Sequence, residues 1–135
     1  MRFQISFKSG KAVYLQLVDQ VKLAAASGAL RPGEPLPGIR PLAEDLRVNR
    51  NTVAKAYAEL ENQGVIETSV GKGCFVREQN ASPIRKDVRR KLLGELIDDV
   101  VIQAHHLQID KADFLELADE RFDALQHKRE RAAHP

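Results

Sequence analysis

A single cysteine, Cys74, is all the thiol in this chain of 135 residues. It excludes an intramolecular disulfide framework and any zinc site built from clustered thiolates, and it fits a reducing cytosol. Packed as a small half-apolar side chain, it needs no further role. Tryptophan is absent and aromatics make up only 5% of the chain. With 43% hydrophobic and 30% charged residues, the composition is that of an ordered, helix-rich chain. No run of about 18 uncharged apolar residues occurs, and the N-terminus MRFQISFKSG lacks the apolar stretch of a signal peptide. The expectation is a soluble, cytoplasmic protein with no membrane partner. A strong excess of either charge is also missing. The net charge is +2, but residues 1–80 carry 11 Lys/Arg against 8 Asp/Glu, whereas residues 81–135 carry 10 against 11. The positive excess sits in the front part, a weak pointer to nucleic acid.

What is present is helical periodicity. Val13, Leu17, Val21 and Ala24 recur at helix spacing up to Gly28, a C-terminal stop. The stretch ALRPGEPLPG, with three prolines, cannot continue a helix. A second, short helix follows over Ile39–Leu46 with Gly38 at its cap, and RVN turns the chain into a third over Arg50–Gln63, capped by Asn49. Val53, Ala56, Tyr57 and Leu60 form the buried stripe of the third helix, which places Asn51, Ala54, Lys55, Ala58 and Glu59 outward. Gly64 ends this helix. VIETSV and CFV, joined at Gly71-Lys72-Gly73, have the pattern of a β-hairpin. Ahead of all this, RFQISF alternates Phe3, Ile5 and Phe7 with polar residues, as a short strand or an extended arm does.

REQNASP, residues 77–83, marks a linker, which divides the chain into 1–78 and 79–135. Beyond it, Val88 to Leu107 form an amphipathic helix with a wide apolar surface, including Leu93, Leu96, Ile97, Val100, Val101 and Ala104. Asp110 is placed to cap another helix carrying Phe114, Leu115, Ala118 and Phe122, and the tail from His127 is expected to fray. Two helices on their own rarely bury so wide a stripe. Pairing with a second copy through these ten side chains is the economical solution, and a hairpin folded back on the first domain is the other. The predicted fold class is mainly α with a small β-hairpin: a winged helix-turn-helix followed by a two-helix dimerisation segment.

In a winged helix-turn-helix the third helix enters the major groove. The start of this one offers Arg50, Asn51, Thr52 and Lys55 with no bulky apolar group among them, a surface able to approach base edges and phosphates. A winged helix used as a protein-interaction module is the alternative, and it would carry an apolar or acidic third-helix face. Read alone, Arg50 and Lys55 could be ordinary solvated charges.

Tyr14-Leu-Gln-Leu, Gly28-Ala-Leu-Arg-Pro-Gly33, Leu36-Pro37 with Arg40 and Leu42-Ala43, Val48-Asn-Arg-Asn-Thr-Val53, Ala56-Tyr57 with Leu60, Gly64, and Gly71-Lys-Gly-Cys-Phe-Val76 occur in order over residues 11–77. In these motifs the sequence resembles the GntR family of bacterial transcription regulators, and its short helical tail resembles the YtrA-like branch, whose members dimerise through such helices. The resemblance implies a repressor binding an inverted-repeat DNA operator as a homodimer. It implies DNA contacts at Arg40 and Arg50, base reading at the start of the third helix (Arg50, Asn51, Thr52) with Lys55 beside it on the backbone, and a wing tip of Gly71, Lys72 and Gly73 near the minor groove. Those glycines also suit the tight turn by themselves. Gly38 stands where the family has Ser, which weakens the helix cap by a few tenths of a kcal/mol, and Pro41 disfavours the helical region for Arg40.

His105 and His106, adjacent on a helix, point about 100° apart and cannot chelate one ion. Asp98, Asp99, Asp110 and Asp113 read as solvated faces and caps. Neither a metal nor a cofactor is indicated, no small-molecule effector is assigned, and no nucleophile, phosphate loop or paired-carboxylate site points to an enzyme.

Overall fold

A computed structural model describes residues 1–78 and 85–133. The elements run α1 (Val13–Ser27), α2 (Ile39–Leu46), α3 (Arg50–Asn62), β1 (Ile66–Ser69), β2 (Gly73–Val76), α4 (Lys86–His106) and α5 (Lys111–Ala133). The winged helix-turn-helix and its two trailing helices follow the order expected from the sequence. Part of the 77–83 linker lies outside the described residues.

One aliphatic core joins α1, α2, α3 and the hairpin. Leu17 and Val21 of α1, Val53 and Leu60 of α3, and Ile66 of β1 are fully buried, with Leu42 and Ala43 of α2 beside them. Among the described residues, all the buried core side chains lie between Phe3 and Val76. The residues that shape this core are set by local signals. Gly28 closes α1 in the left-handed conformation (φ 84°), where a side chain would clash with its own backbone. Asn49 accepts from the amide of Asn51 at 2.7 Å and starts α3. Gln63, assigned to α3 by periodicity, is its C-cap.

Arg40 is helical despite the proline after it, so the preference set by Pro41 is overridden in the first turn of α2. A Cβ at Gly38 would lie 3.2 Å from Pro41 Cδ, so a larger residue at the cap would crowd the proline ring.

β1 and β2 pair antiparallel from Ile66 with Val76 to Ser69 with Gly73. The proline-rich connection braces the other edge of β2. Gly33 N donates to Val76 O, Val76 N to Glu34 O and Leu36 N to Cys74 O, all within 3.0 Å. Cys74 is half-buried and its sulfur lies 3.5 Å from Thr68 Oγ1.

The N-terminal arm is extended but joins no sheet. Gln20 and Gln16, one turn apart on α1, each bond an amide and a carbonyl of the arm, at Gln4 and Ser6 respectively, with distances of 2.7–2.9 Å. Two glutamine side chains thus stand where a neighbouring strand would. Phe3 enters the core, whereas Phe7 remains 67% exposed.

Asp110 caps α5 as expected, its carboxylate accepting from Asp113 N at 2.9 Å. The expected fraying of the tail is not seen: α5 stays helical to Ala133. Its end lies against α1 and the segment after it, where Arg31 Nη2 donates to Ala132 O at 3.5 Å and α5 packs along α1. α4 and α5 diverge from their connecting turn instead of packing along one another. Among the described residues, no helix is long and apolar enough to cross a membrane.

Candidate nucleic-acid interface

The turn between α2 and α3 sets the geometry. α2 ends at Arg47, which adopts the left-handed conformation (φ 55°, ψ 46°) with its amide directed at the carbonyls of Ala43 and Glu44. Val48 N donates to Ala43 O at 3.0 Å, and the chain enters α3 at Arg50. This tight corner brings Arg40, Arg47 and Arg50 around one open depression of about 480 Å³, whose remaining lining is Ala43, Glu44 and Val48. Arg40 and Arg50 were expected together from sequence. Arg47 was missed, because a left-handed C-cap is ordinarily signalled by glycine or asparagine.

α3 buries Val53, Ala56, Tyr57 and Leu60 and turns Asn51, Lys55 and Ala58 to solvent, with Thr52 and Ala54 half-exposed. The face is small and polar at its start and carries no large apolar side chain, so it offers nothing to an apolar protein groove. Tyr57 fastens the helix from behind: its hydroxyl donates to Pro37 O at 2.7 Å. Burial, and to a lesser extent Cys74, pushes the phenol well above its usual range. Lys55 is exposed but also has a partner within the chain. Its ammonium lies 4.1 Å from the centroid of the Tyr14 ring, a cation–π contact across α1 and α3.

The wing tip lies at the far end of the hairpin, on a separate element. Gly71 (φ 77°) and Gly73 (φ 105°) are both left-handed, and Lys72 N donates to Ser69 O at 3.0 Å. A Cβ at either glycine would meet no atom within 4 Å. Conformation alone, with no crowding inside the chain, therefore accounts for the glycines. Val70, unmarked in the sequence reading, is 97% exposed beside them.

His105 and His106 are exposed at the end of α4 with rings 5.4 Å apart. Among the described residues no group of three or more metal-binding side chains gathers.

Residues 13–76 match the family described as bacterial regulatory proteins, gntR family. The HTH-type transcriptional repressor YtrA of Bacillus subtilis is 36% identical over 107 residues, which covers 79% of this chain and 82% of that protein. Among solved structures, a Listeria monocytogenes protein described as a transcriptional antiterminator superposes with a TM-score of 0.77 at 33% identity, over 93% of this chain and 92% of that one. YtrA from Sulfolobus acidocaldarius, described as a GntR-family transcription factor, gives a TM-score of 0.56 at 31% identity, over 71% and 97%. With the helix-turn-helix corner, the wing and the polar face of α3 in place, the chain belongs to the GntR family and is a DNA-binding transcription regulator, not an enzyme.

Proposed function

We propose that this regulator is a cytoplasmic repressor that binds an inverted-repeat operator as a homodimer, with residues 1–78 reading DNA and residues 79–135 holding the two copies together. The carrying observation is the uncovered surface of α4. Leu93, Leu96, Ile97, Val100 and Val101 are all between 41% and 62% exposed, and among the described residues neither α4 nor α5 has a fully buried side chain. The diverging α5 leaves that surface open, and its own Leu115 and Phe122 are exposed as well. At about 25 cal/mol per Å² of apolar area, leaving such a stripe in water is costly. A two-fold partner covers it. Ala104 of α4, and Phe114 and Ala118 of α5, are half-buried.

Within the reading domain, Arg50, Asn51 and Thr52 address base edges from the start of α3. Arg40, Lys55 and Lys72 address phosphates, and Gly71 and Gly73 let the wing backbone come close to the duplex. A dimer then sets two copies of α3 on one DNA face, about 34–36 Å apart or a multiple of it. Repression is supported by the name of the Bacillus relative.

Selection of binding sites from randomised duplex DNA, with sedimentation of the free protein, tests the reading. It should recover an inverted repeat and a dimer. A single asymmetric site bound by a monomer would overturn it.

A further inference from the structure

Arg47 is one of only two non-glycine residues with positive φ among those described, the other being Gln108 at the end of α4. A left-handed C-cap favours glycine, because a Cβ there crowds the adjoining carbonyl. An arginine at such a position keeps a conformation that glycine would hold more easily, and such outliers concentrate at functional sites. Its surroundings indicate for what. Arg40, Arg47 and Arg50 rim the same depression at the α2–α3 corner, with Glu44 as the one carboxylate in its lining. The ion pairs among the described residues are Lys11 with Asp19, Arg85 with Asp87 and His127 with Glu130, so none of the three guanidinium groups is paired with a carboxylate among those residues.

We infer that Arg47 is a DNA-phosphate contact, set by its left-handed backbone beside Arg40 and Arg50 so that the helix-turn-helix corner grips one strand of the duplex. The inference rests on the reading of α3 as the element that enters the major groove. The ligand chemistry is that of a backbone phosphate, since a forked guanidinium can donate two parallel bonds to its oxygens. Arg47 precedes α3 and lies on the turn, so it sets the register of the helix on the strand and does not read a base edge.

The test compares the full chain with Arg47→Gly and Arg47→Lys, titrated against the selected operator duplex and a random duplex of equal length at several salt concentrations, with a urea unfolding curve for each. Arg47→Gly should unfold at the same or a higher urea concentration. It should bind both duplexes roughly tenfold more weakly near 0.1 M salt, with a slope of log affinity against log salt shallower by about one. Arg47→Lys should keep the slope. An unchanged slope in Arg47→Gly overturns the inference, as does a loss confined to the operator, which would make Arg47 a base reader. A lower unfolding midpoint in Arg47→Gly would remove the argument from its backbone. If the unaltered chain binds neither duplex, the underlying reading has failed, and that result is distinct from each of the others.

Discussion

The ammonium of Lys55 sits 4.1 Å above the Tyr14 ring, so the outer face of α3 is tied to the first turn of α1. A cation over an aromatic face at an exposed site contributes about 0.5–1 kcal/mol. Lys55→Met should lose that amount in urea unfolding, and Tyr14→Leu should lose at least as much because the ring is also half-buried. A double-mutant cycle isolates the coupling. Coupling indistinguishable from zero would show that the contact does not stabilise the fold.

Gly28 does two things at once. It holds φ at 84°, and a Cβ there would come within 2.9 Å of Ala132 Cβ at the end of α5. Gly28→Ala should therefore cost about 1–2 kcal/mol for the left-handed backbone and more for the collision. Adding Ala132→Gly should restore the second part alone. Thermal unfolding of the single and double variants measures both, and full recovery in the double variant would mean that the backbone contributes nothing.

Arg50 opens α3 with a long forked side chain at the rim of the arginine-lined corner. Arg50→Ala should weaken operator binding by about 1–3 kcal/mol and random DNA by less. Equal losses on the two duplexes would reduce it to a phosphate contact.

Leu96 and Val100 are four residues apart and so share one face of α4, at 62% and 48% exposure. Leu96→Glu with Val100→Glu should leave the reading domain folded, because all the buried core side chains among the described residues lie between Phe3 and Val76. Sedimentation should then show a monomer, and operator affinity should fall to that of a half-site, since linkage of two sites is lost. A dimer that survives both charges would move the interface off α4.

The Tyr57 phenol is neutral in the folded chain far beyond its ordinary range because it is buried, whereas unfolding returns it to a pKa of about 10. A folded pKa above the unfolded one gives stability that is complete below about pH 10 and lost as the pH rises beyond it. Tyr57→Phe should remove part of that alkaline loss. At neutral pH it should cost about 1 kcal/mol through the bond to Pro37 O. Urea midpoints from pH 8 to 11 check the sign.

Local chemistry makes most of residues 1–78 legible in the sequence. The cap at Asn49, the stop at Gly28, the two-turn α2 and the glycines of the wing each depend on neighbours a few residues away, and each is where the sequence puts it. The buried stripe of α3 is likewise a matter of 3.6-residue spacing. The alternation in the N-terminal arm signalled extended backbone but not what would satisfy it. Its partners are side chains of Gln16 and Gln20, ten or more residues away.

By itself, then, the sequence determined the order and extent of the elements, the polar start of α3 and the presence of a broad apolar surface after the linker, because caps, breakers and periodicity act over one or two turns. Tertiary structure decided the rest. The tail from His127 has no apolar stripe to advertise a helix, yet it stays helical where Ala132 reaches Gly28 and Arg31. Arg47 carries no mark of a left-handed residue in RVN, yet the structure places it in that conformation at the end of α2. Periodicity also cannot say which helix covers which. α4 and α5 diverge and α5 returns to α1, a choice that depends on contacts between residues about a hundred positions apart in the chain.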